Sequence, residues 1–232
     1  MAIAPSSLLS SLQGGLIVSC QAPADSPLHV PEIIAAMAEA AVNQGATGIR
    51  VDSPAHVRAV RQRLPTIPII GLWKQVCADS EVYITPQFHH AEAIAQAGAD
   101  IIALDATERP RPQGETLAEI VQRVQDNLAL PIMADIDRLE AARIAQQLGI
   151  EMIGTTLYGY TNATLEQSPP AWNLLQTLVE EHLGFIICEG GINSPEMAQR
   201  AMALGANAVV VGTAITGIDI LVQRYHRAIL KQ

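Results

Sequence analysis

With 232 residues, 49% of them hydrophobic, the chain is long enough for one well-filled core and needs no second domain. A net charge of -9 without a compensating basic patch argues against nucleic acid as a partner. No stretch reaches the roughly 18 apolar residues of a spanning helix, and the N-terminus lacks a basic lead before an apolar run. A soluble cytoplasmic protein with no membrane partner is therefore expected. Cys20, Cys77 and Cys188 are odd in number and lack metal-type spacing, so free thiols are expected rather than disulfides.

In chain order, a short N-terminal lead-in, read as helical or flexible, precedes an apolar run at 15–20. Further strand runs follow at 46–51, 68–72, 100–104, 131–135, 151–155, 185–189 and 207–212. Helical stretches fall near 31–43, 53–63, 88–97, 115–127, 137–148, 170–182, 194–204 and 218–230. Runs such as LIVSC, DIIAL and AVVVG are apolar throughout, which suits parallel strands covered on both faces. The segments AAVNQGATGIRV, IAQAGADIIAL, IAQQLGIEMIG and AMALGANAVVV repeat one unit, in which Gly45, Gly98, Gly149 and Gly205 end the helix. Pro68 and Pro131 open two strands, and Ser194-Pro195-Glu196 reads as a capped helix start. Residues 156–170, rich in Thr, Tyr, Asn, Ser and Pro, read as a substrate loop.

This alternation predicts an α/β fold, a single (β/α)8 TIM barrel spanning 1–232. An open doubly wound sheet would carry a GxGxxG turn after its first strand, where this chain has Ser19-Cys20-Gln21-Ala22-Pro23. A barrel gathers the carboxyl ends of all its strands on one face. Here those ends carry Gln21, Arg50, Lys74, Asp105, Asp135 and Glu189.

Lys74, beside Trp73 at a strand end, is either a desolvated base or imine-forming amine, or a solvated lysine at a strand–loop junction. Glu189, between an apolar strand and Gly190-Gly191, suits an acid/base carboxyl; capping the next helix falls more naturally to Asn193 or Ser194. Gly190, Gly191, Gly212 and Thr213 follow the last two strands, where barrels often bind phosphate through backbone amides. Asp105 and Asp135 could each hold a substrate hydroxyl, orient Lys74, or pair with Arg50, Arg109 or Arg111. Tyr160, in the long loop, is expected to touch substrate. The six histidines show no HxH or HxxxH arrangement at a strand end, so no metal site is expected. No Ser-His-Asp order or nucleophile elbow is visible either. Lysine and glutamate facing one pocket suit proton removal beside a carbonyl, or imine chemistry.

The segments LIVSCQAPADSPLH, IPIIGLWK, DSEVYITP, IIALDATERPRPQGE, IMADI, GTTLYGYT, ICEGGINSPE and VVVGTAIT together resemble the N-acetylmannosamine-6-phosphate 2-epimerase family of (β/α)8 barrels. The likeness runs from about Leu16 to Thr216. It implies an isomerase of amino-sugar and sialic-acid breakdown that acts on a phosphorylated N-acyl amino sugar without a metal or organic cofactor, and it leaves room for a homodimer. By position, Lys74 would exchange the C2 proton, Glu189 would be its acid/base partner, and Gln21, Arg50 and Asp135 would contact the sugar. The chain departs from the family pattern at Gln75 and Tyr158, at Gly191, where a basic residue is common, and at Gly217-Ile218, where an Arg-Pro pair is common. Without that arginine, the anion site is expected to rest on the amides near Gly190, Gly191, Gly212 and Thr213. A Schiff-base aldolase acting through Lys74 and a non-catalytic sugar-phosphate-binding barrel are the alternative readings.

Overall fold

Eight apolar runs become eight parallel strands: β1 (Gly15–Cys20), β2 (Gly48–Asp52), β3 (Ile69–Leu72), β4 (Ile101–Asp105), β5 (Ile132–Asp135), β6 (Met152–Gly154), β7 (Phe185–Cys188) and β8 (Ala208–Val211). In the computed structural model, which describes residues 5–230, they pair in sequence order and β8 returns to β1, closing the barrel. Helices α1 (Pro5–Leu12), α2 (Pro31–Asn43), α3 (Pro54–Arg63), α4 (Phe88–Ala97), α5 (Leu117–Asn127), α6 (Leu139–Gln147), α7 (Trp172–Glu180) and α8 (Pro195–Ala203) come next in order. The four-residue α9 (Thr213–Thr216) and the longer α10 (Ile218–Leu230) complete the described residues. Among the described residues no helix is long and apolar enough to cross a membrane.

β2 starts two residues later than its apolar run suggests. Ala46 still belongs to the turn that ends α2, its N–H donating to the Ala41 carbonyl at 3.1 Å. Gly98 sits at φ 107°, where a side chain would be strained, and its N–H closes α4 onto the carbonyl of Ala95; Gly45, Gly149 and Gly205 share the left-handed backbone. Ser194 caps α8 by accepting the Met197 N–H at 3.3 Å, with Pro195 at the first helical position, as its sequence predicts. Thr116 and Glu119 form a reciprocal capping box at the start of α5.

Strand side chains alternate between two apolar environments, which explains runs with no polar alternation. Ile49, Val51, Ile102, Leu104, Ile153 and Val209 face the helices. Ile17, Ile70, Ile101, Met133, Met152 and Phe185 fill the barrel interior together with Leu8 and Leu12 of α1. Thus α1 closes the amino-terminal end of the barrel. The interior-facing series continues upward into polar residues: Ser19 and Gln21, Arg50 and Asp52, Lys74, Asp135, Thr156 and Glu189.

The last helix behaves differently from the others. None of the side chains of α10 is buried, and Ile218, Val222, Tyr225 and Ile229, at helical spacing, are between 53% and 73% exposed.

Candidate active site

A cavity of about 910 Å³ opens at the carboxyl ends of the strands, within the range of small-molecule sites. Its walls include Gln21, Arg50, Lys74, Tyr160 and Glu189, and the backbone of Gly190, Gly191, Gly212 and Thr213. The sequence candidates therefore converge, with two qualifications. Asp135 lies just below, behind Arg50 and Thr156. Asp105 is occupied elsewhere: fully buried, it binds Arg109 Nη2 at 2.5 Å and the Thr107 hydroxyl at 2.7 Å, while Arg111 donates to its main-chain oxygen. It does not line the cavity, and the expectation of a sugar contact from Asp105 is corrected to the structural ion pair.

Lys74 is presented by the segment that follows β3. That segment doubles back on itself: the Gln75 N–H donates to Tyr83 O and the Thr85 N–H to Trp73 O, each at 2.9 Å. This brings Tyr83 and Ile84 into the cavity wall beside the lysine. The Lys74 ammonium donates to Gln21 Oε1, and its main-chain N–H to Asp52 Oδ1 at 2.9 Å. Although Lys74 keeps solvent-accessible surface in the open mouth, the surrounding protein removes hydration and lowers its pKa. Asp52 opposes that shift, and Arg50 reinforces it.

Glu189 faces the same space from β7. Its main chain is stitched to β6, with the Thr155 hydroxyl 2.9 Å from its carbonyl and 3.1 Å from its nitrogen. Burial raises its carboxyl to about 7, against the pull of Arg50, which lies 3.0 Å away. Arg50 is itself buried and makes a two-pronged contact with Asp135, at 3.0 and 2.6 Å. Burial disfavours its charge, but Asp135 and Glu189 outweigh that and leave the guanidinium firmly protonated. An acid whose pKa is pushed up and an amine whose pKa is pushed down thus share one pocket, an arrangement suited to proton transfer at a carbon.

The glycines that depart from the family pattern have steric reasons to remain glycine. A Cβ on Gly191, at φ 70°, would lie 2.7 Å from the carbonyl carbon of Pro169. One on Gly217 would lie 2.8 Å from Cα of Thr213. Arg224, on α10, reaches the cavity wall next to Gly217 and Ile220 and has no hydrogen-bond or ion-pair partner among the described residues. Among those residues no group of three or more His, Cys, Asp or Glu is placed to hold a metal ion.

Comparison with known proteins decides the family. The model described as "NanE: Putative N-acetylmannosamine-6-phosphate epimerase" matches residues 34–231. The chain belongs to this epimerase family. A family relative from Synechococcus elongatus, named "Putative N-acetylmannosamine-6-phosphate 2-epimerase", is 62% identical over 222 residues, covering 95% of this chain and 96% of the relative. One of the same name from Thermosynechococcus vestitus is 58% identical, covering 96% of each. The solved structure of the N-acetylmannosamine-6-phosphate 2-epimerase from Clostridium perfringens superposes with a TM-score of 0.92 at 36% identity, covering 98% of this chain and 99% of that one. The family is an isomerase family and the barrel is its fold.

Sequence reasoning missed Ser19, His29, Asp52, Tyr83, Thr156 and Arg224, all of which line the cavity. For Asp52 and Thr156 a signal existed. Strand side chains alternate, so the residue two beyond Arg50 and the residue two beyond Gly154 point the same way as those residues.

Proposed function

We propose that the chain interconverts N-acetylmannosamine 6-phosphate and N-acetylglucosamine 6-phosphate by removing and returning the proton on C2. The observation that carries this reading is the placement of Lys74 and Glu189 on one cavity with proton affinities drawn toward each other. In the open-chain sugar the C1 aldehyde makes the C2 proton acidic. Neutral Lys74 accepts that proton, the electron pair of the broken C–H bond moves into the C1–C2 enolate, and Arg50 stabilises the negative oxygen. The carboxyl of Glu189 then delivers a proton to planar C2, giving the epimer. Transfer of one proton between Lys74 and Glu189 restores the site.

Gln21, Arg50 and Tyr160, which line the cavity, would contact the sugar, with Asp135 acting behind Arg50. The phosphate is assigned to the amides of Gly190, Gly191, Gly212 and Thr213, with Arg224 supplying the cation that Gly217 does not. The test is NMR of N-acetylmannosamine 6-phosphate in deuterated water: deuterium at C2 and accumulation of the epimer are expected. Ligand binding without C2 exchange would leave only a binding barrel, and borohydride trapping of a Lys74 imine would favour the aldolase.

A homodimer is part of the same proposal. The apolar stripe of α10, uncovered in the single chain, is the surface a second copy would bury. Sedimentation of the wild type as a dimer and of Tyr225→Glu as a monomer is expected; a monomeric wild type ends this part of the reading.

A further inference from the structure

Thr156 follows β6 two residues after Gly154 and enters the barrel between two carboxyl groups. Its Oγ1 lies 2.6 Å from Asp135 Oδ1 and 3.1 Å from Glu189 Oε2. A hydroxyl carries a single hydrogen, and ionised carboxylates only accept. The shorter contact has the length of a charge-assisted bond, so the hydrogen belongs to Asp135. What the hydroxyl turns toward Glu189 is then a lone pair, which repels a carboxylate and accepts from a carboxylic acid.

The neighbouring charges treat the two carboxyl groups differently: Asp135 favours the neutral form of Glu189, while Arg50 and Lys74 pull it toward the anion. Arg50, from β2, serves Asp135 with both Nη atoms and offers Glu189 only the Nη1 it already shares. Asp135, from β5, is fully buried and better supplied with donors, making it the natural anion of the two. Lys74, from the segment after β3, is the remaining charged group facing Glu189.

We propose that Thr156 is a positioning residue: its hydroxyl accepts a hydrogen bond from the protonated carboxyl of Glu189, passes its own hydrogen to Asp135, and so favours the neutral, proton-donating form of Glu189. The importance of that form rests on the epimerase reading. The polarity of the chain Glu189 to Thr156 to Asp135 does not, and it can be measured without turnover.

The measurement is a carboxyl carbon-13 NMR titration of glutamate-labelled protein, with Glu189 assigned by its loss in Glu189→Gln. Removing an acceptor from the neutral acid weakens proton binding, so in Thr156→Val the Glu189 midpoint should fall by about half to one pH unit. Thr156→Ser, which keeps the hydroxyl, should stay near wild type. If the hydroxyl instead donated to ionised Glu189, Thr156→Val would raise the midpoint; a rise, or no change, overturns the proposal. Should Thr156→Val fail to fold, the difference between Thr156→Ser and Thr156→Ala gives the same sign test. Absence of C2 deuteration in the wild type would remove the epimerase reading while leaving the titration result standing.

Discussion

Asp52 holds the backbone of Lys74: its Oδ1 accepts the lysine N–H at 2.9 Å, tying the end of β2 to the segment that carries the ammonium. The same carboxylate favours the charged form of that ammonium, and burial raises the pKa of Asp52 itself. Asp52→Asn keeps an acceptor oxygen and removes the charge. Lys74 should then lose its proton at lower pH, and the alkaline limb of kcat/KM should move to lower pH. A pH profile of the variant checks this; an unmoved or upward-shifted limb would show that the carboxylate does not act on Lys74.

The acid and the amine titrate as a pair, so the pH profile should be bell-shaped. In the proposed mechanism, one proton shared between them is the working state. Below the Glu189 midpoint, near 7, the pair holds two protons and no base is free. Above the Lys74 midpoint, which lies below the usual lysine value, the acid is lost. Lys74→Ala should reduce C2 exchange by about 10² or more without unfolding the barrel. Glu189→Gln should lower kcat far more than it raises KM, whereas a rise in KM alone would make Glu189 a binding group.

Arg50 lines the cavity and is also a structural cation. Arg50→Met would leave Asp135, which has no solvent exposure, buried without its counter-charge. The expected cost is about 3–5 kcal/mol in a urea unfolding experiment. Much of it should be recovered in the double variant Arg50→Met/Asp135→Leu, which removes both charges. A single variant as stable as wild type would mean that water or Lys74 compensates Asp135.

On the phosphate side the geometry argues against replacing Gly217. Gly217→Arg forces its Cβ onto Thr213 and should lower stability without tightening phosphosugar binding. Arg224→Gln should instead weaken N-acetylmannosamine 6-phosphate by about tenfold, toward the low end for a charge-assisted bond because the side chain is exposed. Titration with the phosphorylated and unphosphorylated sugars separates the cases. Equal losses for both would place Arg224 away from the phosphate.

The barrel is legible in the chain because strands apolar on both faces and helices closed by glycine leave few other architectures. The residues at strand ends are legible for the same reason, which is why Lys74, Glu189, Gln21 and Arg50 can be read from the sequence as neighbours on one cavity. Asp105 shows the limit of that logic: its carboxylate is bound by Thr107 and Arg109, and sequence alone does not say whether a buried acid will find a partner nearby. Asp52 and Thr156 lie one pleat past the apolar run, where alternation still holds although hydrophobicity has stopped. Arg224 and Tyr83 could not be placed by strand position, because a separate helix and a doubled-back segment bring them in.

Leu8 and Leu12, seated under the barrel, make a cup of the described residues, closed below and open at the carboxyl ends of the strands. On the epimerase reading, sugar and epimer would share the cavity at the carboxyl ends of the strands. Accumulating product would then compete with fresh reactant for the same site, and net conversion should slow before the two reach their equilibrium ratio. With α1 below, the open cavity above is where solvent would reach Lys74 and Glu189, so a sugar seated there should slow the passage of isotope from water to C2.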